Sequence, residues 1–485
     1  MTGHISMDIS PDGITGMIFA MEGIRGCVTL LNGPMGCRFY HSTTSQFLSI
    51  HPLLYLPSRD GERIPVDYNH LDNWFFRQQR VPCTYLDGED YVFGTVEKVR
   101  EGLLYLKEHI QFEVLAVVNS PGASLIGDRL ADMAVQILPD RDIIVLESPG
   151  FSVGFDHGYE QACLQLLRQV GIAANSTGES STGKNISGEI RKADNTAGKS
   201  RAGENGLWAG TPEQYNGPTK TAPVVNVLGL SIWNRYFEGD REELEQLFAD
   251  CGIRVNCFLA ADCSMDQVRR MGSADLNIVL DPDRGAASAS CLQELTGVPY
   301  YQCDTLPIGF TAVEKMIREI CALVGADPGK ALEKSRAARA LAWYKINGIY
   351  QSSGLPQGAL FAIAAQWMPL YSYSAFFMDY LGMIPDALTV TGPIQPSARK
   401  KLTDLLEQTH AQKALWKPLS ETRAQLIFSD ANHIASLTGA GHAFCGIEIS
   451  LPGMGYTDLV KKTHLGINGA LFLIEQVLNG LMTRI

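Results

Sequence analysis

The stretch Val96–Asn119, VEKVREGLLYLKEHIQFEVLAVVN, sets the fold class of the chain. Its first part places Val99, Leu103 and Leu106 four and three residues apart, the spacing of one buried stripe on a helix over Val96–His109. Its last part, VLAVVN, is a short continuous apolar run, as expected of a strand covered on both faces. A helix feeding a doubly buried strand is half of a parallel α/β repeat. The pattern recurs along the chain. Strands are expected at Ile143–Glu147, Val224–Leu228, Ile253–Leu259, Leu276–Leu280, Leu360–Ala364 and Gln425–Ser429. Helices are expected at Glu242–Asp250, Ala312–Val324, Leu332–Ile349, Ala398–Thr409 and Ala470–Leu481. The fold class read from this is α/β, with three Rossmann-like parallel-sheet units arranged around a central cavity.

Size and composition agree with that reading. The 485 residues correspond to roughly three packed units of about 150 residues. A content of 45% hydrophobic residues supplies sizeable cores. The net charge of −12 argues against affinity for nucleic acid or anionic membranes. The first residues, MTGHISMDISPDGITG, have no basic start followed by an apolar run, and no stretch is apolar enough to span a membrane. A cytoplasmic protein is expected. Eleven cysteines without close pairs do not form a disulfide framework.

Two breaks divide the chain. Between about Asn175 and Thr221 large apolar residues are almost absent, so this stretch is expected to be a mobile insertion. A second boundary falls at Gly325–Gly329, GADPG. The expected units are a first α/β unit over 1–174, the insertion 175–222, and two further α/β units over 223–330 and 331–485. Inside the insertion, GESSTGKN over Gly178–Asn185 matches a phosphate loop until Asn185 replaces the magnesium-binding hydroxyl. No buried strand precedes it and no apolar helix follows, so we read it as linker.

The densest chemical signal is Gly26–Cys37, GCVTLLNGPMGC. Gly33 and Gly36 flank Pro-Met just ahead of Cys37, a turn whose backbone can approach a bulky inorganic group and point N–H groups at sulfur. The same residues also suit a plain glycine turn with an inert cysteine, and turn chemistry alone leaves both open. Cys83 follows Pro82, which fixes the chain just before the thiol. Cys251, Cys257 and Cys263 do not have zinc spacing. Cys163, Cys291 and Cys321 fall in helical apolar patterns, and Cys303 and Cys445 lie at strand ends, where α/β proteins place ligands. His41, His433, His442 and His464 form no paired-histidine motif, and G-x-S-x-G is absent.

At GIRGCVTLLNGPMGC (Gly23–Cys37) the sequence resembles the component 1 superfamily of nitrogenases, whose subunits carry a G-P-x-G-C cluster turn. YLDGEDYVFG (Tyr85–Gly94) ahead of a helix, NSPGASLIGD (Asn119–Asp128), ESPGFSVGFDHG (Glu147–Gly158) and GING (Gly466–Gly469) extend the likeness in order over nearly the whole chain outside the insertion. The departures are specific. Upstream, ISPDGITG holds no cysteine, and the loop before I-G-D has Ser120 and Pro121 where those subunits commonly supply one. The resemblance carries Cys37 over as a metal ligand. Cys83 and Cys27 are further metal candidates, with Gly33 and Gly36 at the cofactor, although Cys27 resembles a position that is usually structural.

The resemblance implies an oxidoreductase subunit holding an iron–sulfur cluster, a [4Fe–4S] type completed by another chain. Electrons would come from an ATP-hydrolysing iron–sulfur reductase component. The other chain would be a second component 1-type subunit, either a copy or a paralogue. The alternative is a non-catalytic scaffold on which a nitrogenase-type metal cofactor is assembled. No clear counterpart appears for the cysteine and histidine that anchor the molybdenum cofactor; Cys291, His433 and His442 are the residues nearest that role.

Overall fold

The computed structural model describes residues 11–38, 81–148, 153–172, 222–451, 458 and 460–482. The expected insertion 175–222 and its phosphate-loop look-alike fall almost wholly outside these residues, as does His41. The strands, in chain order, are β1 Ile24–Arg25, β2 Cys27–Asn32, β3 Val114–Asn119, β4 Asp142–Leu146, β5 Val224–Leu228, β6 Arg254–Phe258, β7 Cys263–Ser264, β8 Leu276–Val279, β9 Tyr300–Gln302, β10 Leu360–Ala365, β11 Ile384–Val390, β12 Leu426–Asp430 and β13 Cys445–Ser450. They form three main sheets, ordered β2-β3-β4, β6-β5-β8-β9 and β11-β10-β12-β13. Every pairing among them is parallel. The expected α/β class with three parallel sheets is what the chain adopts.

β3 shows why an unbroken apolar run marks such a strand. All six of its residues are buried. Val114, Ala116 and Val118 join a core with the helices Gly13–Glu22 and Phe155–Gln169, while Leu115 and Val117 join another with Val99, Leu103 and Leu106 of the helix Val96–His109. Alternate side chains point to opposite faces, so both faces demand apolar residues.

The sheets share their cores. The helices Gly13–Glu22 and Phe155–Gln169 lie between the first and second sheets, in one cluster with Leu228, Cys257 and Val279. They cross on glycines: a Cβ at Gly158 would lie 1.9 Å from the Gly13 carbonyl oxygen, and one at Gly16 would lie 2.0 Å from that of Phe155. The second and third sheets share the largest core, which includes Val225, Ile278, Phe361 and Phe428. The C-terminal helix Gly466–Met482 belongs to this core and packs on Phe237–Asp250, a helix of the second sheet.

The three helices Phe155–Gln169, Pro282–Thr296 and Trp367–Leu381 follow β4, β8 and β10, one strand from each sheet, and their first turns meet. Arg284 Nε lies 3.5 Å from Asp156 Oδ1, Gln366 donates to Asp156, and the Trp367 indole donates to Asp283 at 2.7 Å.

Candidate functional site

The first sheet ends in a set of loops that bring distant residues together. Beyond Asn32, β2 runs into Gly33, where a Cβ would stand 2.8 Å from Ser120 Cβ, so only glycine lets the strand end pass the loop after β3. Residues 81–86 run alongside. The Leu31 N–H donates to Pro82 O (2.8 Å), Thr84 N–H to Leu31 O (3.0 Å) and Leu86 N–H to Gly33 O (3.1 Å). This added edge carries Cys83 to the strand end, where its thiol donates to Gly33 O at 3.0 Å. The chain beyond β2 turns through the 3₁₀ segment Met35–Arg38, and the Cys37 N–H donates to Pro34 O at 3.1 Å. Cys37 and Cys83 thereby occupy the C-terminal edge of a parallel sheet, the usual place for ligands in this architecture.

A buried polar chain holds these loops in register. Asn32 is fully buried, and its amide donates to Thr95 Oγ1 (3.0 Å) and Asn119 Oδ1 (2.9 Å) while its oxygen accepts from Thr84 Oγ1 (3.0 Å). Asn119 passes the chain on to Glu147 Oε1 at 2.9 Å. Asp128, the last residue of the I-G-D segment, accepts from the Thr95 N–H (2.7 Å) and hydroxyl (2.9 Å). Asn32, Asn119 and Glu147 lie at the ends of neighbouring strands of the first sheet, so satisfying one buried amide orders every loop at that edge.

Electrostatics separates the candidate thiols. Cys37 is half-buried, and burial pushes its thiol up, followed by the charges of Asp12 and Cys83. Asp12 also caps the helix Gly13–Glu22 by accepting from the Thr15 N–H at 2.9 Å. Cys27 stands at the other end of β2, roughly 17 Å from Asn32 at the rise of an extended strand. Burial, and then Glu22, push its thiol up to about 12. Among the described residues no heavy atom lies within 4 Å of a Cβ added at Gly36, beside Cys37.

Sequence reading missed three contributors. Tyr85 has a left-handed backbone (φ 53°) that aims its N–H back at Cys83 Sγ, 3.4 Å away. A non-glycine residue at positive φ costs strain energy and marks a constrained turn; this was the one available clue, and only the structure carries it. Ser120 abuts Gly33, and Asn32 organises the edge.

The other candidates lie elsewhere. Cys291 is buried on the helix Pro282–Thr296 in an apolar cluster. His433 pairs with Asp430 within its own helix start. His464 is buried between the Tyr373 hydroxyl (2.7 Å) and Gln476 Oε1 (2.6 Å), and burial depresses it to about 4, so it is neutral at physiological pH. Among the described residues no three His, Cys, Asp or Glu side chains are grouped to hold a metal ion. A four-iron cluster takes four protein ligands. Cys37 and Cys83 fit part of that donor set, with soft thiols and a nearby N–H donor.

The short helices Asp90–Phe93 and Pro121–Ile126 meet and carry an exposed apolar ridge. Tyr91 packs over Gly122, leaving Val92, Phe93 and Leu125 facing outward at 75%, 85% and 89% exposure, with Tyr85 at 42%. No helix among the described residues is long and apolar enough to cross a membrane.

Comparison with known proteins places this geometry in context. The pattern of the family described as nitrogenase component 1 type oxidoreductase matches residues 13–482. A light-independent protochlorophyllide reductase subunit from Synechococcus sp. (strain CC9902) is 27% identical over 270 residues, which are 55% of this chain and 44% of the relative. The same subunit from Bradyrhizobium sp. (strain ORS 278) is 26% identical over 270 residues, 55% of this chain and 45% of the relative. The chain thus spans under half the length of these curated relatives. A solved structure of nitrogenase Cp1 at pH 6.5 superposes with a TM-score of 0.71 at 14% identity, covering 100% of this chain and 95% of that one, which is a likeness of fold.

Proposed function

We propose, for a chain that belongs to the nitrogenase component 1 type oxidoreductase family, that it is a reductase subunit taking electrons from an ATP-hydrolysing iron–sulfur partner through an iron–sulfur cluster held in part by Cys37 and Cys83. What supports this reading is that both cysteines lie at the C-terminal edge of the first sheet, with the exposed apolar ridge of Val92, Phe93 and Leu125 on helices of the same unit. Such a cluster supplies one-electron relay, at a potential set by burial and by N–H donors to sulfur. In this chain Tyr85 offers that N–H to Cys83, and Gly33 and Gly36 keep the turn free of side chains. The raised Cys37 thiol is protonated at neutral pH without metal, so ligation releases a proton. The remaining ligands come from a second component 1-type subunit. Contiguous exposed apolar residues mark interaction sites, and we assign the ridge to the ATP-hydrolysing reductase, whose electrons then enter the unit that carries Cys37. The distant Cys27 is structural.

The test is anaerobic purification of the chain with its co-purifying subunits, followed by iron and sulfide analysis and mixing with the reduced reductase and ATP. ATP-dependent bleaching of the visible absorption is expected, and it is lost in Phe93→Asp with iron content unchanged. Absence of iron and acid-labile sulfide under strict anaerobiosis would overturn the reading. Transfer of bound metal to another protein without reductive turnover would turn it into the scaffold alternative.

A further inference from the structure

The helices Phe155–Gln169, Pro282–Thr296 and Trp367–Leu381 begin where the C-terminal ends of β4, β8 and β10 point, and a polar seam runs between their starts. Asp156 and Glu160 lie four apart on the first helix, and Arg284 and Ser288 four apart on the second, so each pair shares one helix face. The two faces meet. Arg284 Nε lies 3.5 Å from Asp156 Oδ1, and the Ser288 N–H donates to Glu160 Oε1 at 2.7 Å. Arg284 also donates to Asp281 and to Asn234, each at 2.8 Å. The third sheet reaches in through Gln366, which donates to Asp156, and through the Trp367 indole, which donates to Asp283. Four carboxyl groups, Asp156, Glu160, Asp281 and Asp283, are thus gathered here with one guanidinium, Arg284. Asp156 Oδ1, Glu160 Oε2, Arg284 Nε and Ser288 Oγ are buried with no hydrogen-bond partner among the described residues.

We infer that this seam is a proton-linked clasp: it holds the three helix starts together while its carboxyl groups carry protons, and parts to admit water once they ionise. One guanidinium cannot neutralise four carboxylates, and an ionised carboxyl without full hydrogen bonding demands water. Burial pushes Asp156 up to about 7; Arg284 opposes the rise, and Asp281 and Asp283 add to it. These three are the charged groups that face Asp156 from the second helix, while the third sheet offers uncharged Gln366 and Trp367. Burial also pushes Glu160 up to about 7 against its bonds from Ser288, with Asp281 adding repulsion. The sign follows from linkage. Both groups are raised on folding, so the closed clasp is fully favoured below the ordinary carboxyl values and loosens as pH rises through about 7. Asp156 is the hinge point, because it alone of the four acids belongs to the first unit and meets both Arg284 of the second and Gln366 of the third. The clasp does not rest on the cluster reading.

The experiment is amide hydrogen exchange of the anaerobically purified full chain between pH 5 and pH 7, corrected for the intrinsic pH dependence of exchange. One bonded amide reports on each helix: Gly158 N–H to Gly154 O (3.3 Å), Ser288 N–H to Glu160 Oε1, and Leu370 N–H to Gln366 O (3.0 Å). Each raised carboxyl exposed on opening should increase the open fraction by about tenfold or more over this range. In wild type the three amides are therefore expected to lose protection together, by about a hundredfold with both carboxyls exposed, while β3 keeps its protection. Asp156→Asn should shrink the loss by about tenfold or more, and Asp156→Asn/Glu160→Gln should abolish it. Gln366 makes no side-chain cap, so Gln366→Met removes the bond to Asp156 and should expose Leu370 at both pH values while the other two helices still respond; this variant keeps the test valid should Asp156→Asn fold poorly. A loss confined to one helix, an equal loss at β3, a wild-type response in Asp156→Asn, or unchanged protection of Leu370 in Gln366→Met would overturn the clasp.

Discussion

Replacing Asn32 with Asp tests the buried chain that orders the thiol edge, because the change is nearly isosteric and reverses the polarity of one atom. The lost amide is the donor to Thr95 Oγ1 and Asn119 Oδ1. A carboxylate there faces the Asn119 oxygen instead. Rotating the Asn119 amide would only turn its oxygen toward Glu147, whose Oε1 now accepts from it. With no solvent at Asn32, the folded chain escapes by protonating the new acid, which then donates one of the two bonds. Protonation at pH 7 from an ordinary carboxyl value near 3.9 costs about 4 kcal/mol, and the unrecovered bond about 1 kcal/mol. The expected loss is therefore about 5 kcal/mol at pH 7 and about 1 kcal/mol at pH 4. The sign follows from linkage: the folded pKa is raised, so the relative stability of the variant is recovered as pH falls toward the unfolded value and lost as it rises. Asn32→Ala is the control, with a loss of about 3 kcal/mol that does not depend on pH. Urea titration read through amide hydrogen exchange of β2, β3 and β4 measures these values at the sheet concerned. A curve for Asn32→Asp running parallel to wild type between pH 4 and pH 7 would refute the reasoning.

Other consequences are as direct. Cys37→Ser and Cys83→Ser, which exchange soft sulfur for harder oxygen, should each lower anaerobic iron per folded chain by at least about half, while Cys27→Ser keeps it; equal iron in all three would remove the thiol edge as a metal site. Without metal, Cys37 should react with iodoacetamide more slowly than a free thiol at pH 8, and Cys27, pushed up to about 12, should not react in the folded protein; peptide mass spectrometry reads both. Burial raises Glu160 to about 7 while its carboxylate accepts from the Ser288 N–H at 2.7 Å. Its contribution to stability is thus full below about 4.5 and lost as pH rises through about 7, and Glu160→Gln, which keeps that acceptor, should flatten the denaturation midpoint over this window. Gly158→Ala drives a methyl into the Gly13 carbonyl oxygen and should cost toward the upper end of the roughly 1–3 kcal/mol range of overpacking, seen as a lower melting temperature.

Much of the fold is legible in the chain because it is local. Val114–Asn119, Val224–Leu228 and the helix Val96–His109 coincide with the elements found, since doubly buried strands and singly striped helices leave a pattern in any window. The helix Gly13–Glu22 leaves no such pattern. All ten of its residues are buried between two sheets, so it shows no amphipathic period. β2, CVTLLN, reads as part of a glycine-rich turn because its short run, interrupted by Thr29, is set between Gly26 and Gly33. The helix Trp367–Leu381, rich in aromatics and buried on most sides, is a third case.

At the candidate site the division is sharper. Residue order alone singles out the groups with the right chemistry: Cys37 after a G-P-x-G turn, Cys83 after proline, and a resemblance that orders them. It takes the folded chain to put Cys37 and Cys83 on one sheet edge and Cys27 at the far end of the same strand. Folding also joins Asn32, Thr84, Thr95, Asn119 and Asp128 into one hydrogen-bonded set. Residues about a hundred positions apart meet there because parallel pairing is non-local: neighbouring strands are joined by long crossovers, and a run of apolar residues carries no record of its partner. Side-chain periodicity says which way a residue faces; the choice of strand neighbours says what it meets.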